Sequence, residues 1–229
     1  MENFLFRGII NYLNINPYIG NYFQRINYKF LRNSARIKIK MNKGYFYQPS
    51  DDSYLLAEVV SHYLTKIQIS KRIIIKVLDM GTGSAIQAKN CIDNKIKMSN
   101  IYSVDINPYA LKEARKIGVR IIKSNLFYKL NKAIKYDLII FNPPYLPEDK
   151  HDKVKDTTGG KYGDETIIKF IKNLANYLEE EGICFLLTSS FTPHKKWMEI
   201  AENESLEVKQ VISKKLFQET IFVWKIVHK

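Results

Sequence analysis

From Ile73 onward, segments with the apolar pattern of a strand alternate with segments that have the apolar pattern of a helix. This alternation predicts an α/β fold. Short β-branched and aliphatic runs predict strands, whereas apolar residues three to four positions apart predict helices. We predict strands at residues 73–78, 101–105, 119–123, 136–141, 183–189, 206–213 and 220–227. We predict helices at residues 84–97, 108–116, 126–134, 164–180 and 193–202.

The segments between the predicted strands indicate how the sheet is built. Helical segments separate the first five strands, which is typical of βαβ units and of a parallel sheet. Only residues 214–219 join the last two strands, which is too short for a parallel crossover. We therefore expect a Rossmann-like, seven-stranded, mostly parallel sheet with helices on both faces and an antiparallel carboxyl-terminal hairpin.

Charge suggests two parts along the chain. The formal net charge is +13 at pH 7, and residues 1–40 hold seven Lys or Arg against Glu2 alone, interleaved with aromatic residues. We predict a basic, aromatic amino-terminal extension at 1–40 and a catalytic domain at 41–229. Such a mixture suits contact with RNA or a ribosomal complex through phosphates and bases. The extension could instead be a helical cover for the core, a tail without a role, or untranslated sequence before Met41.

Several classes of protein are disfavoured by the composition. Cys91 and Cys184 lie far apart among aliphatic neighbours, which predicts buried, reduced thiols. The four histidines form no ligand-spaced cluster with them, so we expect no metal site. No apolar run approaches the roughly 18 residues of a membrane helix, and Glu2 and Arg7 interrupt any signal core. We expect a soluble, cytoplasmic protein with no membrane contact.

A glycine-containing turn follows the first predicted strand and precedes a helix. It contains Asp79, Gly81 and Gly83, and glycine there lets the backbone come close to a ligand. A dinucleotide fingerprint requires a third glycine at position 86, where this chain has Ile86. Asp105 ends the second strand, where a carboxylate can accept hydrogen bonds from both ribose hydroxyls. The pattern predicts binding of an adenosine-containing ligand but does not specify which ligand.

Asn125 and Leu126 come directly after the third predicted strand. At that position Asn125 can bond the adenine edge, with Leu126 beside the same ligand. Asn125 could equally be the cap of the helix predicted from residue 126.

The fourth strand ends in Asn142-Pro143-Pro144-Tyr145, at the edge of the sheet where such folds bind ligands. An amide or exocyclic amine nitrogen is a weak nucleophile, because its lone pair is delocalised. The Asn142 side-chain oxygen and the Pro143 carbonyl can each accept one N–H of such a group, and Tyr145 can stack on it. The tetrapeptide therefore predicts methyl transfer from the sulfonium of S-adenosylmethionine to a planar nitrogen, by positioning and without a strong base.

These motifs resemble the HemK-like glutamine methyltransferases that modify peptide-chain release factors, and most of all their archaeal and eukaryotic branch. Residues 47–56 resemble the branch's amino-terminal signature, residues 159–163 its substrate-loop glycines, and residues 217–220 its final hairpin. The resemblance implies a class I methyltransferase fold and S-adenosylmethionine as cofactor. It implies cofactor contacts from Ser53, Asp79, Gly81, Asp105, Asn125 and Asn142.

The same resemblance implies a target glutamine in the Gly-Gly-Gln loop of a release factor, and a small zinc-binding activator subunit that covers an exposed apolar edge. The chain departs from the branch at Asp79, where Glu is usual, and in the extension at residues 1–40. Two other functions stay open. The tetrapeptide also suits adenine N6 or guanine N2 in RNA or DNA, and a non-catalytic module that binds S-adenosylmethionine or RNA belongs to a different class.

Overall fold

The computed structural model describes residues 46–148 and 158–229 of the chain. The predicted extension at residues 1–40 lies outside the described residues. The long predicted loop at 143–163 is described except for residues 149–157.

The elements alternate much as the sequence predicts. The first half contains helices α1 (Asp51–Thr65) and α2 (Ile69–Arg72), strand β1 (Val77–Met80), helix α3 (Ile86–Asp93), a 3₁₀ turn (Met98–Asn100), β2 (Ile101–Asp105), α4 (Pro108–Lys116), β3 (Arg120–Lys123) and β4 (Tyr136–Phe141). The second half contains β5 (Leu146–Pro147), β6 (Thr158–Gly160), α5 (Glu165–Tyr177), β7 (Leu178–Ser189), α6 (Lys195–Asn203), β8 (Leu206–Lys215) and β9 (Thr220–His228).

Seven strands form the main sheet in the order β3-β2-β1-β4-β7-β9-β8. The first five are parallel, and β9 runs antiparallel to both β7 and β8. This confirms the predicted sheet and its terminal hairpin. At one edge β8 is largely exposed, and its pairing with β9 shifts register between Gln210 and Ile212.

The central register brings three strand ends to one level. Met80 pairs with Val104 on one side and with Phe141 on the other. The residues that follow them in the chain are Gly81, Asp105 and Asn142, so the sequence motifs leave the sheet side by side.

The core lies on both faces of the sheet, because successive residues of a strand point to opposite faces. On β4, Leu138 and Ile140 pack with Leu56 of α1, whereas Ile139 and Phe141 pack in a second cluster that includes Phe170, Leu174 and Trp197. Helices therefore cover both faces, as expected for buried parallel strands. In the described part of the chain, no helix is both long and apolar enough to cross a bilayer.

The helix predicted at residues 126–134 is wrong, because residues 125–133 form bends and turns. Leu126 has a φ of +48°, and a right-handed helix cannot pass through a residue in this conformation. The Ser124 hydroxyl oxygen accepts a hydrogen bond from the Lys129 N–H at 2.9 Å. Phe127 and Leu130 are buried three residues apart, and this helix-like spacing misled the prediction.

Other boundaries also differ from the prediction. The first strand is Val77–Met80 and begins later than predicted, because residues 73 and 74 form a turn after the short α2. Helix α5 ends at Tyr177, where β7 begins directly. Helix α1 lies before the pattern that starts at Ile73 and was not predicted.

Candidate active site

Hydrogen bonds of the buried residue Thr82 attach the glycine turn to the sheet. Thr82 is buried, its N–H donates to the Val104 carbonyl at 2.9 Å, and its hydroxyl donates to Asp79 at 2.6 Å. Gly81 and Gly83 have φ of +63° and +50°, a left-handed conformation that favours glycine. Because Gly81 is exposed, its bare backbone can come into close contact with a ligand.

Asp79 lies behind this turn. It is only 2% exposed, and burial raises the pKa of its carboxyl to about 7, although hydrogen bonds from Thr82 and the Ala88 backbone act in the opposite direction. These contacts make Asp79 a brace of the turn, and its predicted contact with the cofactor stays a prediction.

Asp105 is oriented by two backbone N–H groups. One carboxylate oxygen accepts from Gly83 at 3.0 Å, and the other accepts from Asn107 at 2.8 Å. Since a carboxylate oxygen accepts more than one hydrogen bond, this orientation suits the two hydroxyls of a ribose. The predicted contacts of Gly81, Gly83 and Asp105 with the cofactor stay predictions.

Asn125 is exposed just beyond β3, on the same edge of the sheet as Asp105. The structure contradicts the alternative that Asn125 caps a helix, because turns follow it. Leu126 is half-buried against the apolar cluster of Phe127 and Leu130. Binding of adenine by Asn125 and Leu126 stays a prediction.

Asn142 leaves β4 toward the first turn of α1. Its Nδ2 donates to the Asp52 carboxylate at 3.1 Å and to the Ser53 hydroxyl at 3.4 Å. Its Oδ1 is buried and has no hydrogen-bond partner among the described residues. Pro143 is buried, and the Tyr145 hydroxyl donates to the same Asp52 carboxylate at 3.2 Å.

Gly159 and Gly163 pack closely against the backbone of the tetrapeptide. A Cβ at Gly159 would lie 2.5 Å from the Pro144 carbonyl oxygen, and one at Gly163 would lie 2.6 Å from the Tyr145 carbonyl oxygen. The Thr192 hydroxyl donates to that Tyr145 carbonyl at 3.0 Å. Gly159 and Gly163 therefore lie against the predicted site residues Pro144 and Tyr145.

The residue before the last strand of the final hairpin also lies near Tyr145. Burial and the negative charges of Asp52 and Glu219 raise the pKa of Tyr145, so its hydroxyl stays protonated and donates. Glu219 directly precedes β9. Three signatures that are distant in sequence thus meet around Tyr145.

This group lies next to the glycine turn and the helix that follows it. The Gln87 side chain, on the helix after the turn, donates to the Ser53 carbonyl at 2.9 Å. A Cβ on Gly83 would lie 3.8 Å from the Tyr47 carbonyl oxygen. Asp52 lies within the signature at residues 47–56, but the sequence alone predicts no role for it. The sequence shows only a carboxylate next to Ser53. The long-range contacts that bury this carboxylate cannot be read from the sequence.

The order of the strands, the terminal hairpin and the glycine turn define a class I methyltransferase, the class whose methyl donor is S-adenosylmethionine. The family model described as "Methyltransferase small domain" matches residues 57–217. The chain belongs to this family and, within it, to the HemK-like release factor glutamine methyltransferases.

Relatives support this placement. A proposed protein N5-glutamine methyltransferase of Methanocaldococcus jannaschii is 34% identical over 70% of this chain and 80% of its own length. Human methyltransferase HEMK2 is 26% identical over 78% of this chain and 88% of its own length. The Mtq2–Trm112 complex of E. cuniculi, responsible for methylation of the termination factor eRF1, contains a chain of similar fold, with a TM-score of 0.62 and 24% identity over 80% of this chain and 99% of that one.

Proposed function

We propose that the protein transfers a methyl group from S-adenosylmethionine to the side-chain amide nitrogen of a glutamine in the Gly-Gly-Gln loop of a peptide-chain release factor. The observation that carries this proposal is the orientation of Asn142. Its Nδ2 faces Asp52, so its acceptor oxygen is left for the N–H of a planar amide.

The cofactor, when bound, supplies an electrophilic sulfonium methyl group. In this proposal the backbone at exposed Gly81 and half-buried Gly83 lies along the cofactor, and Asp105 accepts hydrogen bonds from the ribose hydroxyls. Ser53, which accepts a hydrogen bond from Asn142, contacts the cofactor. Asn125 and Leu126 bind the adenine. Asp79 holds the turn from behind.

The target amide is held by two acceptors. Asn142 Oδ1 accepts one N–H and the Pro143 carbonyl accepts the other, while Tyr145 lies against the planar group. Since Oδ1 is buried, the amide reaches it only when neighbouring groups move aside. The nitrogen–methyl bond forms as the sulfur–methyl bond breaks, and the nitrogen then loses one proton to water. Positioning of this kind can lower a barrier by on the order of 7 to 11 kcal/mol.

The test uses the full chain, labelled S-adenosylmethionine, and three acceptors: a release factor, the same factor with its target glutamine changed to asparagine, and total RNA. We expect label in the unchanged factor alone, on the target glutamine by peptide mass spectrometry. Label in RNA alone would overturn the protein-substrate proposal and favour a base methyltransferase. Bound cofactor without transfer to either macromolecule would favour the non-catalytic module, provided that the activator is present.

We further propose that a small zinc-binding activator subunit binds the protein. The solved neighbour of similar fold is itself a two-protein complex. Here β3 forms one edge of the sheet, and exposed side chains lie near it, with Met98 48% exposed and Tyr128 86% exposed. Tyr128→Glu should weaken co-purification with such a subunit, whereas Tyr54→Glu, on α1, should not.

The basic sequence at residues 1–40 supports one more proposal, which is contact with RNA or the ribosome. Its seven basic residues could neutralise phosphates. Deletion of these residues should weaken RNA binding and reduce its dependence on salt. Equal RNA affinity with and without residues 1–40 would overturn this proposal.

A further inference from the structure

The Asp52 carboxylate accepts hydrogen bonds from the amino-terminal signature and from the tetrapeptide. It is 4% exposed and accepts from the Tyr47 hydroxyl at 2.9 Å and from the Ser53 N–H at 2.6 Å. It also accepts from Asn142 Nδ2 at 3.1 Å and from the Tyr145 hydroxyl at 3.2 Å. A buried carboxylate needs such donors, because its charge is otherwise costly to remove from water.

The direction of these bonds determines how the Asn142 amide is turned. An ionised carboxylate only accepts hydrogen bonds. If the amide rotated by half a turn, Asn142 Oδ1 would face the Asp52 oxygens and repel them. Asp52 therefore selects the orientation in which Oδ1 faces away and is left as an acceptor.

The position of Asp52 is itself fixed relative to the glycine turn. Helix α1 is joined to α3 by side-chain amides, since Gln87 donates to the Ser53 carbonyl at 2.9 Å and Asn90 donates to the Ala57 carbonyl at 2.9 Å. Helix α3 follows directly on the turn. Asp52 is thus fixed relative to both the glycine turn and the tetrapeptide.

We infer that Asp52 is a positioning residue that holds the Asn142 amide with its oxygen toward the substrate nitrogen. It acts through Asn142 and Tyr145 and touches neither the methyl group nor the nitrogen. This inference rests on the proposed function for its kinetic consequence, while the orientation of the amide can be measured without any substrate.

Asp52→Asn is the sharpest variant, because it keeps the shape of the side chain. The Ser53 N–H at 2.6 Å holds Oδ1 of residue 52, so the new NH2 group replaces Oδ2 and faces Asn142. The Asn142 amide then turns its oxygen toward residue 52. The matched control is Asp51→Asn, which removes the same charge from the neighbouring residue, where Asp51 pairs with Lys214 at 2.8 Å.

With a release factor as substrate, Asp52→Asn should lower kcat by roughly tenfold to a hundredfold. The Kd for S-adenosylmethionine and the melting temperature should stay near those of the Asp51→Asn control. A kcat within twofold of wild type would overturn the inference. A parallel collapse of cofactor affinity and melting temperature would also overturn it, since Asp52 would then be structural only.

The second measurement is NMR of the Asn142 side-chain amide, assigned by its loss in Asn142→Ser. In wild type its protons should be protected from hydrogen exchange, and Asp52→Asn should move these signals whereas Asp51→Asn should not. Rapid exchange in wild type would overturn the inference. If the NMR result holds while wild type methylates no release factor, the proposed function fails and the orientation by Asp52 stands.

Discussion

The Thr82 hydroxyl donates to the Asp79 carboxylate at 2.6 Å, within the glycine turn. This contact offsets only part of the cost of burial, and the pKa of Asp79 is raised from 3.8 to about 7. The folded protein therefore binds this proton more tightly than the unfolded chain. The resulting stabilisation is fully present below pH 3.8 and is lost as the pH rises to about 7.

Asp79→Asn removes this dependence, because an amide has no such charge to bury. The free energy of unfolding of the variant, minus that of wild type, should rise by a few kcal/mol between about pH 4 and pH 8, at roughly 1.4 kcal/mol per pKa unit. Urea titrations of both proteins at several pH values measure this difference in the free energy of unfolding. Exposed Asp93 provides the control, and a pH-independent difference for Asp79→Asn would contradict this prediction.

Asn142→Ala should abolish turnover. Cofactor affinity should stay within a few-fold, because one hydrogen bond contributes roughly 0.5 to 1.5 kcal/mol. Single-turnover kinetics and calorimetry with S-adenosylmethionine separate the two effects. Near-full activity in this variant would refute the account of how the nitrogen is activated.

Gly163→Ala should cost both stability and activity. Gly163 has a φ of +87°, and an added Cβ would press on the Tyr145 carbonyl oxygen 2.6 Å away. The control is Gly118→Ala, where φ is +79° but the nearest atom is the flexible Met98 Sδ at 3.3 Å. Left-handed backbone strain of roughly 1 to 2 kcal/mol is common to both variants. Only Gly163→Ala should lower kcat, and equal loss of kcat in both would argue against a role for this loop.

The contact between α1 and α3 should show energetic coupling. The Ser61 hydroxyl donates to Asn90 Oδ1 at 2.7 Å. Ser61→Ala and Asn90→Ala should each destabilise the fold, and the double variant should be less destabilised than the sum, by roughly 0.5 to 1.5 kcal/mol. Thermal or urea unfolding of the four proteins completes the cycle, and additivity would show that this bond contributes little.

The sequence predicts the sheet well because its signals there are local. Residues 136–141 are mostly apolar, with Asp137 as the one charged residue, and they lie between Lys135 and Asn142; β4 has these bounds. The short connection before residue 220 predicts the antiparallel pair, since chain length alone excludes a crossover. The turn at Leu126 was missed because its positive φ leaves no mark on the spacing of Phe127 and Leu130.

The site is harder to predict than the sheet, because its decisive contacts are distant. Asp52 and Asn142 are separated by 90 positions. Pattern and resemblance indicate Asn142 and Ser53, but only the packing of α1 against the sheet shows that Asp52 accepts a hydrogen bond from Asn142. A carboxylate in the first turn of a helix otherwise looks like an ordinary favourable interaction with the helix dipole.

The outer strand β8 has a consequence for how the protein behaves in solution. Lys209, Lys214 and Lys215 are exposed along it, and Val211 marks the irregularity between Gln210 and Ile212. A second molecule that tried to extend the sheet here would have to desolvate ammonium groups and match a kinked backbone. This side of the molecule is thereby guarded against edge-to-edge aggregation.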